Sequence, residues 1–173
     1  MNIRRYRPSD LNAVVDVFTR SVHGLATGHY DAEQLEAWAP TAPDLKAWDA
    51  RLRQGTTLVA EIDREVCGFI CFEANGHIDL LYTSPADSRM GVASSLLHHA
   101  EMELLAVGVE ELFTEASLAA RPFFERKGFQ VEREETVSLR GVQFRRCVMR
   151  RSNQAAQQGA APGGNSAALH CRR

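Results

Sequence analysis

The sequence Ser88-Arg89-Met90-Gly91-Val92-Ala93-Ser94-Ser95-Leu96-Leu97 joins a run of apolar residues typical of a strand to a long segment with helical periodicity. Gly91 and Ala93 allow that helix to begin without bulky side chains in its first turn. The first N–H groups of a helix lack partners within the helix, and the helix dipole adds partial positive charge there. The stretch therefore predicts an anion site, with a pyrophosphate group as the expected ligand.

Strand and helix patterns alternate on both sides of this turn. Three strand patterns precede it, at residues 57–62, 66–73 and 77–83. Asn75-Gly76 predicts a hairpin between the last two. The helix that begins near Arg89 ends near Val107, and a strand pattern at 112–117 follows. Because a helix connects them, the strands at 77–83 and 112–117 are predicted to be parallel neighbours.

The remaining elements complete an α/β pattern. Before the strands come a short strand at residues 3–7 and three helical segments, which begin near Leu11, Asp31 and Leu45. After them come a short helix at 121–127 and a hairpin of residues 129–139 with 142–149. We predict one domain, residues 1–150. Residues 151–173 contain few large apolar side chains and are predicted to be a disordered tail.

Composition narrows the classes of function. The chain has 173 residues, of which 45% are hydrophobic and 24% are charged, and its net charge is −2. This balance of acidic and basic residues does not indicate the concentrated basic face that a nucleic-acid-binding protein needs. Nucleic acid is therefore not an expected partner. No window approaches the length of an apolar membrane span, and the four cysteines show no metal-binding spacing. We expect a cytoplasmic protein without a membrane anchor or a metal.

Two motifs in this order resemble the GNAT superfamily of acyl-CoA-dependent N-acetyltransferases. The turn motif of that family, Arg/Gln-x-x-Gly-x-Gly/Ala, corresponds to Ser88 through Ala93. Its later Phe-Tyr-Glu-Lys-x-Gly-Phe type motif corresponds to Phe123 through Phe129. The segment from His29 to Ala39 also resembles a bacterial branch of small acetyltransferases. The resemblance implies an α/β GNAT fold: a mixed, mostly antiparallel sheet with one parallel splayed strand pair and about four flanking helices.

The resemblance also implies how acetyl-CoA binds. Backbone amides of the turn would hold the pyrophosphate, namely those of Arg89, Met90, Gly91, Val92, Ala93 and Ser94. The pantetheine arm would pair with the strand backbone of Leu81, Tyr82 and Thr83, where the parallel strands splay apart. Ser117 and Phe124 would also lie at the cofactor.

Three positions depart from the family pattern. Ser88 replaces the usual Arg or Gln, so a cationic contact to phosphate falls to Arg89 or is absent. Phe124 replaces the tyrosine that protonates the leaving thiolate in many members, and Ser117 replaces a frequent asparagine. Because phenylalanine cannot donate a proton, either another group supplies the acid or the thiolate leaves without one.

An acceptor amine must be neutral to attack, so a general base is expected. We rank three candidates in the order Asp79, Glu115 and His77, each acting directly or through water. His77 and Asp79 are two residues apart on one strand, which places them on the same face. Tyr82 is the candidate proton donor.

The segment that overhangs the acceptor site in this family holds His29, Tyr30 and Trp38, our candidate substrate-binding residues. Their aromatic character suits a flat or partly apolar amine of a small molecule. Acetylation of a protein or aminoacyl-tRNA amine is the alternative enzymatic activity. A catalytically inactive acyl-CoA-binding or partner-binding module is the alternative without catalysis. A monomer or a homodimer is expected.

Overall fold

A computed structural model describes residues 1–153 of the chain. In this range the chain forms seven β-strands and five α-helices. The strands are β1 (Asn2–Arg5), β2 (Thr56–Ile62), β3 (Glu65–Phe72), β4 (Ile78–Thr83), β5 (Glu111–Ser117), β6 (Gln130–Leu139) and β7 (Val142–Ser152). The helices are α1 (Leu11–Leu25), α2 (Ala32–Trp38), α3 (Leu45–Gln54), α4 (Val92–Ala106) and α5 (Arg121–Arg126). Short 3₁₀ turns at Pro8–Asp10 and Pro85–Asp87 precede α1 and α4. The predicted α/β order is confirmed.

The strands form two antiparallel sheets rather than the single mixed sheet that we expected. The first sheet has the order β1-β2-β3-β4 and the second the order β5-β7-β6. One isolated parallel bridge, between His77 and Phe113, joins the sheets within residues 1–153. The Thr114 hydroxyl also donates to the Ile78 carbonyl, at 2.9 Å. Within residues 1–153 the predicted parallel pairing is therefore limited to this point. At its other edge β5 pairs along its whole length with β7.

Apolar side chains cover both faces of the first sheet. On one face α4 packs against it and forms the α4-side core, which includes Ile70, Phe72 and Leu96. α5 packs against β5 and β6 and adds Phe124 to the same core. On the other face α1, α2 and α3 form the α1-side core, which includes Phe18 and Phe69. The central strands are buried on both faces, which explains why they appear in the sequence as nearly continuous apolar runs.

The last strand extends beyond the predicted domain boundary at residue 150. Arg151 and Ser152 belong to β7 and pair with Leu112 and Glu111 of β5. The buried Asn153 side chain donates to the Val109 carbonyl at 2.9 Å, which ties the strand end to the segment after α4. The sequence pattern did not predict this extension, because Arg151 and Ser152 have polar side chains and the pairing is made by their backbone groups. Residues 154–173, the rest of the predicted tail, lie outside the described residues.

No helix within residues 1–153 is long and apolar enough to cross a membrane.

Candidate active site

The turn before α4 presents unpaired backbone N–H groups. Gly91 is the N-cap residue of α4, with a left-handed φ of 78°, and Arg89 also has a positive φ of 71°. The Ser95 N–H donates to the Gly91 carbonyl at 2.9 Å. Four N–H groups precede that of Ser95, those of Gly91, Val92, Ala93 and Ser94. Within residues 1–153, no backbone carbonyl accepts a hydrogen bond from any of the four. This geometry suits a phosphate group.

Hydrogen bonding and burial within the same turn show which of its groups are available to a ligand. The Met90 N–H already donates to the Asp87 carbonyl, at 3.2 Å, so it stabilises the turn itself. The side chains of Arg89 and Met90 are exposed, whereas Val92 is buried in the α4-side core. Val92 therefore anchors the beginning of α4, and its neighbours are left open to a ligand.

The backbone of Leu81, Tyr82 and Thr83 lies next to this turn in the chain. On one edge these residues pair with β3, in register with Ile70, Phe69 and Gly68. On the other edge, no ladder joins β4 to β5 beyond the bridge at His77, within the part of the chain that the structure describes. A pantetheine arm along this edge stays a prediction.

Ser117 and Phe124 are held by contacts within the protein. The Ser117 hydroxyl accepts from the Ala120 N–H at 3.1 Å, in the turn that leads into α5. Phe124 is 3% exposed in the α4-side core, and its ring lies 5.1 Å from that of Phe129. A contact of either residue with the cofactor stays a prediction.

Asp79 lies at a β-bulge of β4 and is paired with a cation. Phe72 is in register with Ile78 and Cys71 with Leu80, so Asp79 has no partner residue in β3. Two hydrogen bonds from Arg51 of α3 reach its carboxylate, from Nε to Oδ2 at 3.0 Å and from Nη2 to Oδ1 at 2.8 Å. This two-point pair ties α3 to β4.

His77 lies between two carboxylates at the point where the sheets meet. Its Nε2 is 2.6 Å from Glu115 Oε2 on β5, and its Nδ1 is 3.2 Å from Glu73 Oε1, just after β3. The imidazole also stacks on Phe113, with 4.9 Å between ring centroids. Burial disfavours the charged ring, but the hydrogen bonds with Glu115 and Glu73 outweigh it and raise the pKa of His77.

Tyr82 belongs to an aromatic cluster on the α1-side of the first sheet. Its ring packs edge-on against Phe18 at 4.9 Å and stacks on Phe69 at 5.7 Å. Trp38 lies 6.4 Å away. Burial raises the pKa of Tyr82 to about 12, so the hydroxyl keeps its proton at neutral pH. We define the aromatic cluster as Phe18, Tyr30, Trp38, Trp48, Phe69, Tyr82 and Phe144.

The three predicted acceptor residues differ in their surroundings. Tyr30 is 6% exposed, and its hydroxyl donates to the Arg145 carbonyl at 2.9 Å and accepts from the Leu118 N–H at 3.0 Å. These bonds join the segment before α2 to the second sheet. Trp38 is half-buried and His29 is exposed. Their contact with a substrate stays a prediction.

Within residues 1–153, no group of three or more His, Cys, Asp and Glu side chains is arranged to hold a metal ion.

Comparison with known proteins decides the family. Residues 26–150 match the sequence family described as an Acetyltransferase (GNAT) domain. The chain belongs to this family. The GNAT protein is 37% identical over 150 residues to the N-acetyltransferase YafP of Escherichia coli K12, which is described as uncharacterized. That alignment covers 87% of the chain and 95% of the relative.

Two solved structures share the GNAT fold. A GCN5-related N-acetyltransferase from Rhodopseudomonas palustris superposes with a TM-score of 0.85 at 32% identity, covering 87% of this chain and 94% of that one. The PaiA N-acetyltransferase from Thermoplasma acidophilum, solved in complex with coenzyme A, gives a TM-score of 0.71 at 21% identity. In that case 87% of this chain and 98% of the other are covered. Family membership identifies the protein as an acyl-CoA-dependent N-acetyltransferase.

Two residues of this GNAT site were not predicted from the sequence. Arg51 contacts Asp79 from 28 positions earlier in the chain, and no local pattern signals such a pair. Glu73 faces His77 across the Asn75-Gly76 turn, and the Glu73 N–H donates to the His77 carbonyl at 2.9 Å. Residues that flank a hairpin turn are neighbours, so that signal was present in the sequence.

Proposed function

We propose that this GNAT protein transfers the acetyl group of acetyl-CoA to an amine of a small molecule, by direct attack and without a covalent enzyme intermediate. The observation that carries the proposal is the set of N–H groups from Gly91 to Ser94 at the beginning of α4, which have no backbone acceptor within residues 1–153. These donors lie on the turn that follows β4, and among the residues that the structure describes the far edge of β4 has no ladder beyond the bridge at His77. PaiA of T. acidophilum binds coenzyme A on the same fold.

The reaction needs one proton removed and one supplied. The amine nitrogen attacks the thioester carbonyl carbon, the carbon–sulfur bond breaks, and an amide and the CoA thiolate form. The nitrogen loses a proton to a base, and the thiolate takes one from a donor or from water. An alkylamine with a pKa of ~10.4 is neutral in only about one molecule in 2,500 at pH 7, so the base matters.

The Glu115–His77 pair is a better base than Asp79. Asp79 accepts two hydrogen bonds from Arg51, so both of its carboxylate oxygens are already engaged. Glu115 and His77 share a short contact of 2.6 Å, and the hydrogen bonds at His77 raise its pKa. A base is most effective when its pKa lies near the working pH. This choice reverses the order that the sequence suggested.

Tyr82 is the proposed proton donor to the thiolate in place of Phe124. Its pKa of about 12 keeps the hydroxyl protonated, and it follows Leu81 on the strand proposed to hold the pantetheine arm. If Tyr82 supplies the proton, Tyr82→Phe slows acetyl transfer without weakening the binding of CoA. An unchanged rate would mean that the thiolate leaves without a protein acid, which its low basicity permits.

The aromatic cluster supports a small, partly apolar acceptor. Trp38, Trp48 and Tyr82 are only partly buried, and half-buried rings can bind a flat or apolar group and a cationic amine. These rings are on the side of the first sheet opposite α4, and Glu115 and His77 lie at its junction with the second sheet.

Calorimetry followed by a thiol-release assay tests the proposal. We expect acetyl-CoA to bind in the micromolar range, and Arg89→Gln to weaken binding only if its side chain contacts phosphate. Thiol release is then measured with 2-phenylethylamine, spermidine and an alanine-terminated peptide. Preference for the peptide would favour a protein acceptor. Binding without release for any amine would indicate an acyl-CoA-binding module, and no binding would contradict the proposal.

A further inference from the structure

Glu73 is a candidate for a second role at His77, beyond that of Glu115. It is the first residue after β3, and its carboxylate reaches Nδ1, the ring nitrogen that Glu115 does not contact. Backbone pairing fixes this arrangement, because the Glu73 N–H donates to the His77 carbonyl at 2.9 Å. The stacked ring of Phe113 limits rotation of the imidazole from the side of β5.

Two carboxylates beside one imidazole favour its protonated form, because of the number of hydrogen bonds that the ring can donate. An ionised carboxylate only accepts hydrogen bonds, whereas a neutral imidazole has one N–H and one bare nitrogen. The neutral ring therefore satisfies one of its two carboxylate contacts and leaves the other without a proton. Uptake of a proton supplies the missing hydrogen bond, whichever nitrogen receives it.

We propose that Glu73 is a positioning residue of the acetyltransferase: it holds His77 at Nδ1, aims Nε2 at Glu115, and stabilises the imidazolium that forms when the acceptor amine loses its proton. The inference rests on the proposed function. In the proton balance, an N–H bond of the attacking amine breaks, and the proton passes to the Glu115–His77 pair directly or through water. It then leaves to solvent before the next cycle.

Other charged groups around His77 already have partners. Asp79 on the same strand is paired with Arg51 of α3. Arg150 of β7 lies over the Phe113 ring, at 5.2 Å from its centroid, and is paired with Glu111 and Glu132. Glu73 and Glu115 are therefore the carboxylates that respond directly to the proton on His77.

The test compares Glu73→Gln with Glu73→Asp and with Glu65→Gln as a matched control. Glu65 is the first residue of β3 and is exposed, so the control removes the same charge at the opposite end of the strand that Glu73 follows. A glutamine amide can donate to the bare nitrogen and favours the neutral ring. We expect the NMR-measured pKa of His77 to fall by about 0.5 pH unit in Glu73→Gln, and to be restored largely by Glu73→Asp.

The same variants are assayed by thiol release, with whichever of the three amines gives the highest kcat/KM. The acidic limb of the kcat/KM profile should move to lower pH by the same amount as the His77 pKa. At a pH above that limb, kcat should fall severalfold, while the KM for acetyl-CoA and the melting temperature stay at the wild-type values. His77→Asn identifies the His77 resonance, and the other histidines serve as internal references.

The outcomes separate this inference from the proposed function. If the wild-type protein acetylates an amine but Glu73→Gln leaves the His77 pKa or the pH profile unchanged, Glu73 has no positioning role and the function stands. A shift in the profile that Glu65→Gln reproduces would also reject the role, because it would reflect net charge alone. If the wild-type protein transfers no acetyl group, the function and the inference both fall.

Discussion

Gly68 determines how closely α4 approaches the first sheet. A Cβ atom built at this position would lie 2.7 Å from Val92 Cγ1 and 3.2 Å from Leu96 Cδ1, both in α4. It would also lie 3.1 Å from the Tyr82 carbonyl oxygen on the neighbouring strand. A side chain at Gly68 would therefore push the beginning of α4 away from β3, and with it the turn that holds the unpaired N–H groups.

We predict that Gly68→Ala lowers the free energy of unfolding by about 1–3 kcal/mol, because overpacking a close contact forces side chains and backbone to shift. We also expect acetyl-CoA to bind severalfold more weakly. Chemical denaturation and calorimetry measure the two effects. Gly28→Ala is the control, because a Cβ there would have no neighbour within 4 Å in the described part of the chain. If Gly68→Ala is destabilised but still binds acetyl-CoA as tightly as the wild-type protein, the affinity does not depend on the position of α4.

At the scale of single residues, local features of the site were predictable and distant partners were not. The turn around Gly91 could be identified because a helix N-terminus is formed by consecutive residues. The ranking of Asp79 as the base stays a prediction, but its partner Arg51 lies 28 positions away and could not be predicted from local spacing. Chemistry that depends on a partner across the fold cannot be read from spacing along the chain.

At the scale of elements, the ion pair between Arg51 and Asp79 joins helix α3 to strand β4. We predict that Asp79→Asn and Arg51→Gln each lower the free energy of unfolding by about 0.5–1.5 kcal/mol. The double variant should lose less than the sum, because both changes remove the same pair. Denaturant unfolding of the four proteins in this cycle measures the coupling.

The same variants test the role of Asp79 in the reaction. Because the proposed base is the Glu115–His77 pair, the pH profile of kcat/KM should have the same shape in Asp79→Asn as in the wild-type protein. Loss of the acidic limb in Asp79→Asn, with the limb retained in Arg51→Gln, would identify Asp79 as the base instead.

At the scale of elements, apolar periodicity and turn residues were sufficient to predict the strands and helices. The differences come from backbone geometry. α4 begins at Val92 because Gly91 adopts a left-handed conformation, and β7 continues to Ser152 because its backbone pairs with β5. The bulge at Asp79 is equally absent from the pattern, since a bulge is an offset between two strands.

The division into two sheets is a property of the whole molecule. The sequence predicted neighbouring parallel strands at β4 and β5, and each of these strands has an antiparallel partner, β3 and β7, along one edge. Along the facing edges, the parallel contact within residues 1–153 is limited to the bridge between His77 and Phe113. The separation of two strand edges depends on the packing of all the elements around them, so it cannot be predicted from either strand alone.

At the scale of the whole molecule, a cation near the N-terminus joins three elements of the domain. Arg4 of β1 donates to Asp10 at 2.7 Å and to Glu61 of β2 at 2.9 Å. The hydrogen bond from Arg4 lowers the pKa of Asp10 against the opposing effect of burial, and the Arg7 N–H lowers it further. A hydrogen bond from Arg4 likewise lowers the pKa of Glu61. These contacts hold β1, the turn before α1, and β2 together.

Because both carboxyl groups have lower pKa values in the folded state, the unfolded chain binds more protons at acidic pH, and stability falls with pH. The contribution is complete above the ordinary carboxyl pKa of about 4 and is lost as the pH falls through the folded values.

We predict that Arg4→Met lowers the free energy of unfolding by about 1–3 kcal/mol at pH 7 and makes the loss of stability below pH 4 less steep. Urea unfolding between pH 7 and pH 3 measures both effects, and Arg20→Met, which breaks the exposed Arg20–Asp16 pair, is the control. Parallel curves for Arg4→Met and the wild-type protein would show that acid unfolding begins elsewhere in the domain.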